Sequence, residues 1–324
     1  MTTLITGIAG FIGAHVARAL LSRGETLVGI DNINDYYDPA LKEARLKWVA
    51  EAGEVEFLRA DLADQAALSP LSDRPVTRVI HLAAQAGVRY SLENPHAYVN
   101  SNLIGHLNVL EFCRAQENFE QLIYASSSSV YGGNTKLPFA ESDPVDHPVS
   151  LYAATKKSDE LMSHCYSHLY RIPQTGFRFF TVYGPWGRPD MAMWLFTKAI
   201  LADRPIRIFN HGDMQRDFTY VDDIVAGILA ACDKPIVDRA EAPPHRLYNI
   251  GNNHPEALLD MIAVLEDALG KKAIREFEPM QPGDVKATYA DISLIERDLG
   301  YTPTTPIQSG IPNFVDWYRE YHSR

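Results

Sequence analysis

The chain opens with the turn that most restricts its folding, TTLITGIAGFIGAHVARALL at residues 2–21. A β-type run reaches Thr6, glycines follow at Gly7, Gly10 and Gly13, and apolar residues recur at helical spacing through Phe11, Ile12, Val16, Ala19 and Leu20. Strand, tight turn and helix are expected in immediate succession. Glycine at these three places permits a sharp turn, close approach of backbone to a pyrophosphate, and close packing of helix on strand. Phe11 and Ile12 open the helix, so they are expected beside that pyrophosphate. The next run, TLVGID, ends at Asp31, eighteen residues past Gly13. A carboxylate there can accept from both hydroxyls of a ribose and repels a 2′-phosphate, which favours NAD over NADP.

Three more strand-like runs follow: VEFLRADL ending at Asp61-Leu62, RVIHLAA ending at Ala83-Ala84, and QLIYASSSS ending in four serines. Helical segments lie between them. The alternation predicts an α/β fold, a Rossmann-type doubly wound parallel sheet with ligands at the carboxyl ends of its strands. Asp61 is placed either to accept from an adenine amino group or to cap the next helix. His81 reads as core. Residues 1–180 are expected to form the NAD-binding domain and residues 181–324 a smaller C-terminal α/β lobe, with later crossings of the chain back to the sheet allowed.

Bulk properties narrow the partners. Apolar residues make up 46% and charged residues 22% of the 324, a balance suited to a packed globular core. The formal charge of −11, with no basic stripe, argues against nucleic acid. No apolar window reaches transmembrane length and no leader is expected after Met1, so a cytoplasmic protein is expected. Cys113, Cys165 and Cys232 are odd in number and far apart, which suits unpaired thiols. The eleven histidines lack ligand spacing, so no metal site is expected.

The catalytic candidates are Tyr152 and Lys156 in LYAATKKSDELMSHCYSHLY, a helical pattern that puts residues four apart on one face. A free phenol is a poor base at neutral pH, and a nearby ammonium, joined by the positive charge of a nicotinamide, favours its phenolate. Tyr152 is the candidate base, with Lys156 as its electrostatic partner and as a donor to the nicotinamide ribose.

Together these segments resemble the extended short-chain dehydrogenase/reductases, and among them the NAD-dependent nucleotide-sugar epimerases. The resemblance spans nearly the whole chain: the glycine turn, Asp31, Asp61-Leu62, HLAAQAGV at 81–88, NLIG at 102–105, SSSSVYG at 126–132, YAATK at 152–156, RDFTYVDD at 216–223 and PGD at 282–284. DNINDYYDPALKEARL at 31–46 and RFFTVYGPWGRPDM at 178–191 are similar to the members that act at C4 of UDP-glucuronate. The resemblance implies C4 epimerisation of UDP-glucuronate to UDP-galacturonate, by oxidation to a 4-keto sugar, rotation and re-reduction, with NAD tightly held and regenerated. It places Ser127 as the catalytic hydroxyl on the sugar's 4-oxygen and puts Asn32, Gln85 and Asn102 at the NAD site. Thr181 would face the sugar, Arg216 the diphosphate, Phe209 the uracil, and Asp284 with Gln281 the uridine ribose. Gln281 stands where the galactose enzymes carry arginine. A homodimer built on the Tyr152 helix and the one near 97–116 is also implied.

The serines sharpen the substrate. Dehydratases of the family carry Asp-Glu after their catalytic hydroxyl, and decarboxylating relatives carry glutamate at the position of Ser129. Ser128 and Ser129 cannot do that acid–base work. Three hydroxyls at a strand end can instead donate to a carboxylate without adding negative charge, which points to a uronic acid, with Arg188 as a second group for that carboxylate or a phosphate. The other reading is a polar strand end whose hydroxyls satisfy backbone groups. Two rival functions remain: a UDP-glucose/UDP-galactose 4-epimerase, and a catalytically silent NAD-binding scaffold, against which Ser127, Tyr152 and Lys156 argue.

Overall fold

A computed structural model describes residues 2–281 and 283–323, so Pro282 of the PGD stretch lies outside them. Strand β1 (Thr2–Thr6) runs through the glycine turn into helix α1 (Phe11–Ser22), and β2 (Thr26–Asp31) follows. Helix α2 (Pro39–Ala50) starts where the Asp38 side chain accepts from the Ala40 N–H and proline occupies the first helical position. Next come β3 (Val55–Arg59), β4 (Val76–His81), α3 (Gly105–Ala115) and β5 (Gln121–Ser127). Helix α4 (Leu151–Tyr170) is capped by the Ser150 hydroxyl, which accepts from the Ala153 N–H, and leads to β6 (Gln174–Phe179).

The second half supplies β7 (Thr181–Tyr183), β8 (Ile206–Ile208), β9 (Gln215–Tyr220), α5 (Val221–Asp233), β10 (His245–Ile250), β11 (Pro255–Ala257), α6 (Leu258–Leu269) and β12 (Arg275–Phe277). Seven parallel strands form the central sheet in the order β10-β6-β5-β4-β1-β2-β3. The chain therefore crosses back into the main sheet at 245–250, far beyond residue 180. Leu4, Ile5, Val79, Ile80, Leu122 and Ile123 are buried, as expected where helices cover both faces of a parallel sheet. Strand order reverses between β1 and β4, and the cleft opens at that switch point.

Three strand ends differ from the sequence reading. β3 stops at Arg59, two residues short of Asp61. β4 stops at His81: the Leu82 N–H still reaches the Thr6 carbonyl at 3.2 Å and the Ala83 N–H the Thr6 hydroxyl, but β1 turns away at Gly7. β5 stops at Ser127, and residues Ser128–Tyr131 wind into a 3₁₀ turn capped by the Ser127 hydroxyl. His81 is buried, its ring against the Thr6 hydroxyl at 2.7 Å, and burial pushes its pKa down to about 3.

The smaller lobe holds a three-stranded sheet, β11-β9-β7, and a pair, β12-β8. Asp217 on β9 knots it together. Its buried carboxylate accepts from the N–H groups of Asn252, Asn253 and Ala290 and from the Thr219 hydroxyl. Its neighbour Arg216 points the other way, into the cleft.

Candidate active site

The glycine turn is tight enough that side chains cannot replace its hydrogens. A Cβ on Gly7, already at φ +72°, would lie 2.7 Å from the Ala83 nitrogen, one on Gly10 would lie 2.9 Å from the Gly7 carbonyl oxygen, and one on Gly13 would overlap that oxygen. This cradle opens into a cleft lined by Gly7, Gly10, Asp31, Asn32, Asp61, Leu62, Ala83, Ala84 and Gln85. Asp31 accepts from the Ile33 N–H at 2.9 Å and the Ala9 N–H at 3.2 Å, which leaves lone pairs for a ribose. Burial raises its pKa, against those bonds and Lys42. Asp61 caps the turn at Ala63 and accepts from the Asn32 amide while lining the cleft. Asn102 is turned away: its amide bonds the backbone of Gln85 on both sides and the Thr155 hydroxyl, so it pins the cleft wall to α4.

Tyr152 and Lys156 line a second cleft, of about 350 Å³, together with Phe11, Ile12 and Ser126 to Ser129. Lys156 is only 2% exposed and donates to the Ala125 carbonyl at 3.0 Å and to Asp159 at 3.1 Å, leaving one N–H over. Burial raises the Asp159 carboxyl to about 6, with Lys156 pulling the other way. The four serines divide. Ser126 donates to Glu160 at 2.7 Å beneath the cleft, and Glu160 is forked by Arg178. Ser127 donates to the Ser129 hydroxyl at 3.1 Å, and Ser128 and Ser129 sit half-buried at the rim.

A third cleft, of about 560 Å³, takes in Thr181, Phe209, Arg216 and Asp284. Arg216 donates to Asp284 at 2.7 Å, and Arg89 lies 3.7 Å from the same carboxylate. Arg89 also stacks over the Phe209 ring at 4.9 Å, with Arg207 at 5.3 Å. Gln281 lies beside this cleft, its backbone carbonyl accepting from the Asp284 N–H and its side-chain carbonyl buried without a partner among the described residues. Arg188 lines all three clefts. Sequence reasoning misses Arg89, although it directly follows HLAAQAGV.

Three adjoining clefts, one with a dinucleotide cradle, one with a Tyr-Lys-Ser set and one with stacked arginines, suit a dinucleotide beside a second phosphate-bearing ligand. The family model "NAD dependent epimerase/dehydratase family" matches residues 3–251. Protein CapI of Staphylococcus aureus is 51% identical over 336 residues, covering all of both chains. UDP-glucuronate 4-epimerase 4 of Arabidopsis thaliana is 49% identical across all of this chain and 76% of its own length. Among solved structures, a UDP-glucuronic acid 4-epimerase from Bacillus cereus, in complex with UDP-glucuronic acid and NAD, superposes with a TM-score of 0.90 at 35% identity, covering 99% of this chain and 100% of that one.

Proposed function

This chain belongs to the NAD dependent epimerase/dehydratase family, and we propose that it interconverts UDP-glucuronate and UDP-galacturonate by inverting C4 of the sugar. The observation that carries this reading is the serine tip: Ser127, Ser128 and Ser129 share a cleft with Tyr152 and Lys156, and no carboxylate stands among the three. Elimination of a hydroxyl would need an acid and a base there that serine cannot supply at neutral pH. The plant relative and the Bacillus complex support the same substrate.

The glycine cradle, Asp31, Asn32, Asp61, Leu62 and the 83–85 wall would hold NAD, bound tightly and regenerated in each turnover. When bound there, NAD would supply the redox chemistry, as hydride acceptor and then hydride donor at C4. Tyr152 takes the proton of the 4-hydroxyl and later returns it. Lys156 stabilises the phenolate and keeps one N–H for a ribose hydroxyl, while Ser127 holds the 4-oxygen. Ser128, Ser129 and Arg188 hold the sugar carboxylate out of alignment with the 4-ketone, which as a β-keto acid would otherwise lose CO₂. Arg216 holds the diphosphate about which the ketone turns to present its other face. Thr181 faces the sugar, Phe209 stacks on the uracil, and Asp284 and Gln281 take the uridine ribose.

We read the working form as a cytoplasmic homodimer. Val99, Ile104 and Leu107 leading into and along α3, and Leu161 at 58% exposed on α4, support an apolar helical interface. The three cysteines are free thiols, as a reducing compartment requires. Replacing Tyr152 with Phe tests the chemistry: turnover should fall about 10²–10⁴-fold, the usual worth of a general base, while NAD stays bound. Rapid epimerisation by Tyr152→Phe would remove Tyr152 as the base.

A further inference from the structure

The segments 31–46 and 178–191 are distant in sequence but meet in space. Arg45 on α2 is 0% exposed and donates to the carbonyls of Ala9 at 3.1 Å, Trp186 at 2.8 Å and Gly187 at 3.0 Å, and to the Tyr37 hydroxyl at 2.6 Å. It therefore ties the glycine turn to the backbone just before Arg188. Trp186 sits at φ +62°, a conformation that bulky residues adopt only when their surroundings impose it. The grip of Arg45 on its carbonyl and the packing of its ring on Trp48 and Trp317, each at 5.3 Å, impose it here.

Beyond that strained residue, Arg188 forks onto Asp190, Nε to Oδ1 at 3.0 Å and Nη2 to Oδ2 at 2.5 Å. The Tyr36 hydroxyl donates to the same Oδ2 at 3.1 Å. Gly87, at φ +103°, makes room for it, since a Cβ there would lie 2.8 Å from the Tyr36 oxygen. A bidentate fork fixes the plane of a guanidinium, and a third bond to the carboxylate fixes the fork. Arg188 is left facing the junction of all three clefts.

We propose that Tyr36 and Asp190 are positioning residues that aim the Arg188 guanidinium at an anionic group of the bound nucleotide sugar. This rests on the proposed function, which supplies that ligand. The anion is either the sugar carboxylate or the diphosphate, and both would meet a guanidinium in the same way.

The test is a double-mutant cycle on ligand affinity, read by calorimetry in a Tyr152→Phe background so that no turnover occurs. Tyr36→Phe removes one hydroxyl and leaves its ring packed on Tyr90, at 4.7 Å, so the fold should persist. It should weaken UDP-glucuronate about fivefold, the usual worth of one hydrogen bond, and Asp190→Asn should weaken it about tenfold. In an Arg188→Ala background each effect should shrink below about twofold. UDP-glucose separates the anions: a loss confined to UDP-glucuronate assigns the carboxylate, and an equal loss with both assigns the diphosphate. If either substitution costs as much without Arg188 as with it, or costs nothing with it, the positioning role is overturned. If the Tyr152→Phe parent binds neither nucleotide sugar, the proposed function fails first and this inference falls with it.

Discussion

Replacing Arg178 with Met should destabilise the protein in a way that depends on pH. Arg178 and Glu160 are both nearly inaccessible, with side chains 2% and 1% exposed, and are joined by bonds of 2.7 and 2.9 Å. Removing one partner of such a pair leaves a buried charge, which costs about 3–5 kcal/mol. With an unfolding slope of roughly 3 kcal/mol/M, the urea midpoint should drop by about 1–1.7 M. In the native protein burial works to raise the Glu160 carboxyl, and the Arg178 bonds overcome it and hold the carboxyl below its ordinary value. Its stabilisation is therefore present above the unfolded pKa and lost as pH falls through the folded one. Without Arg178 the lesser pull of the Ser126 hydroxyl and of Lys157 at 3.6 Å remains, but burial outweighs it, the folded pKa rises above the unfolded one, and stability is lost as pH rises. The deficit of Arg178→Met against wild type should thus be larger at pH 8 than at pH 5. Adding Glu160→Gln should recover most of it at pH 8. Urea melts of the three proteins at both pH values decide it. A deficit under about 1 kcal/mol, or one that grows toward acid, would mean that Arg178 does not compensate a buried Glu160 charge.

Three further outcomes are expected. Gly13→Ala, whose Cβ would overlap the Gly7 carbonyl, should lower NAD affinity at least about tenfold, measured by calorimetry on cofactor-stripped protein. Because burial raises the Asp31 carboxyl, it should protonate at higher pH than a free aspartate, so NAD affinity should fall on acidification, and an Asp31→Asn variant should show weak binding that is flat across that range. Ser128→Ala/Ser129→Ala should release more 4-keto pentose than wild type, seen by proton NMR of the nucleotide products; an unchanged amount removes the serines as guards of the carboxylate.

The parts of this protein that could be read from its sequence are those whose determinants are local. The glycine turn, Asp31 and the Tyr152–Lys156 face all depend on spacings within one strand–turn–helix unit or one helix, and hydrophobic periodicity reports such units directly. Contacts between distant segments leave no periodic trace. The return of β10 to the edge of the main sheet depends on pairing with β6 some 70 residues earlier, where the ladder joins His245 to Gln174. The division of the serines, with Ser126 held from below by Glu160 and Ser127 to Ser129 facing the cleft, follows from alternation at the strand end and its break into a 3₁₀ turn. Asn102 was expected in the NAD cleft, yet its polar atoms are engaged by Gln85 and Thr155, a choice made by α4 packing over it. Tyr36 and Asp190 fall within the segments 31–46 and 178–191, but their contact spans 154 positions and leaves no trace in the sequence.

C4 inversion of a uronic acid by a self-regenerating cofactor is read by incubating the purified protein with UDP-glucuronate, without added NAD, and following the sugar by proton NMR. A mixture with UDP-galacturonate that stops changing at equilibrium, reached equally from either epimer, is expected. UDP-xylose or a 4-keto pentose as the main product, or inversion of UDP-glucose with UDP-glucuronate left untouched, would contradict it.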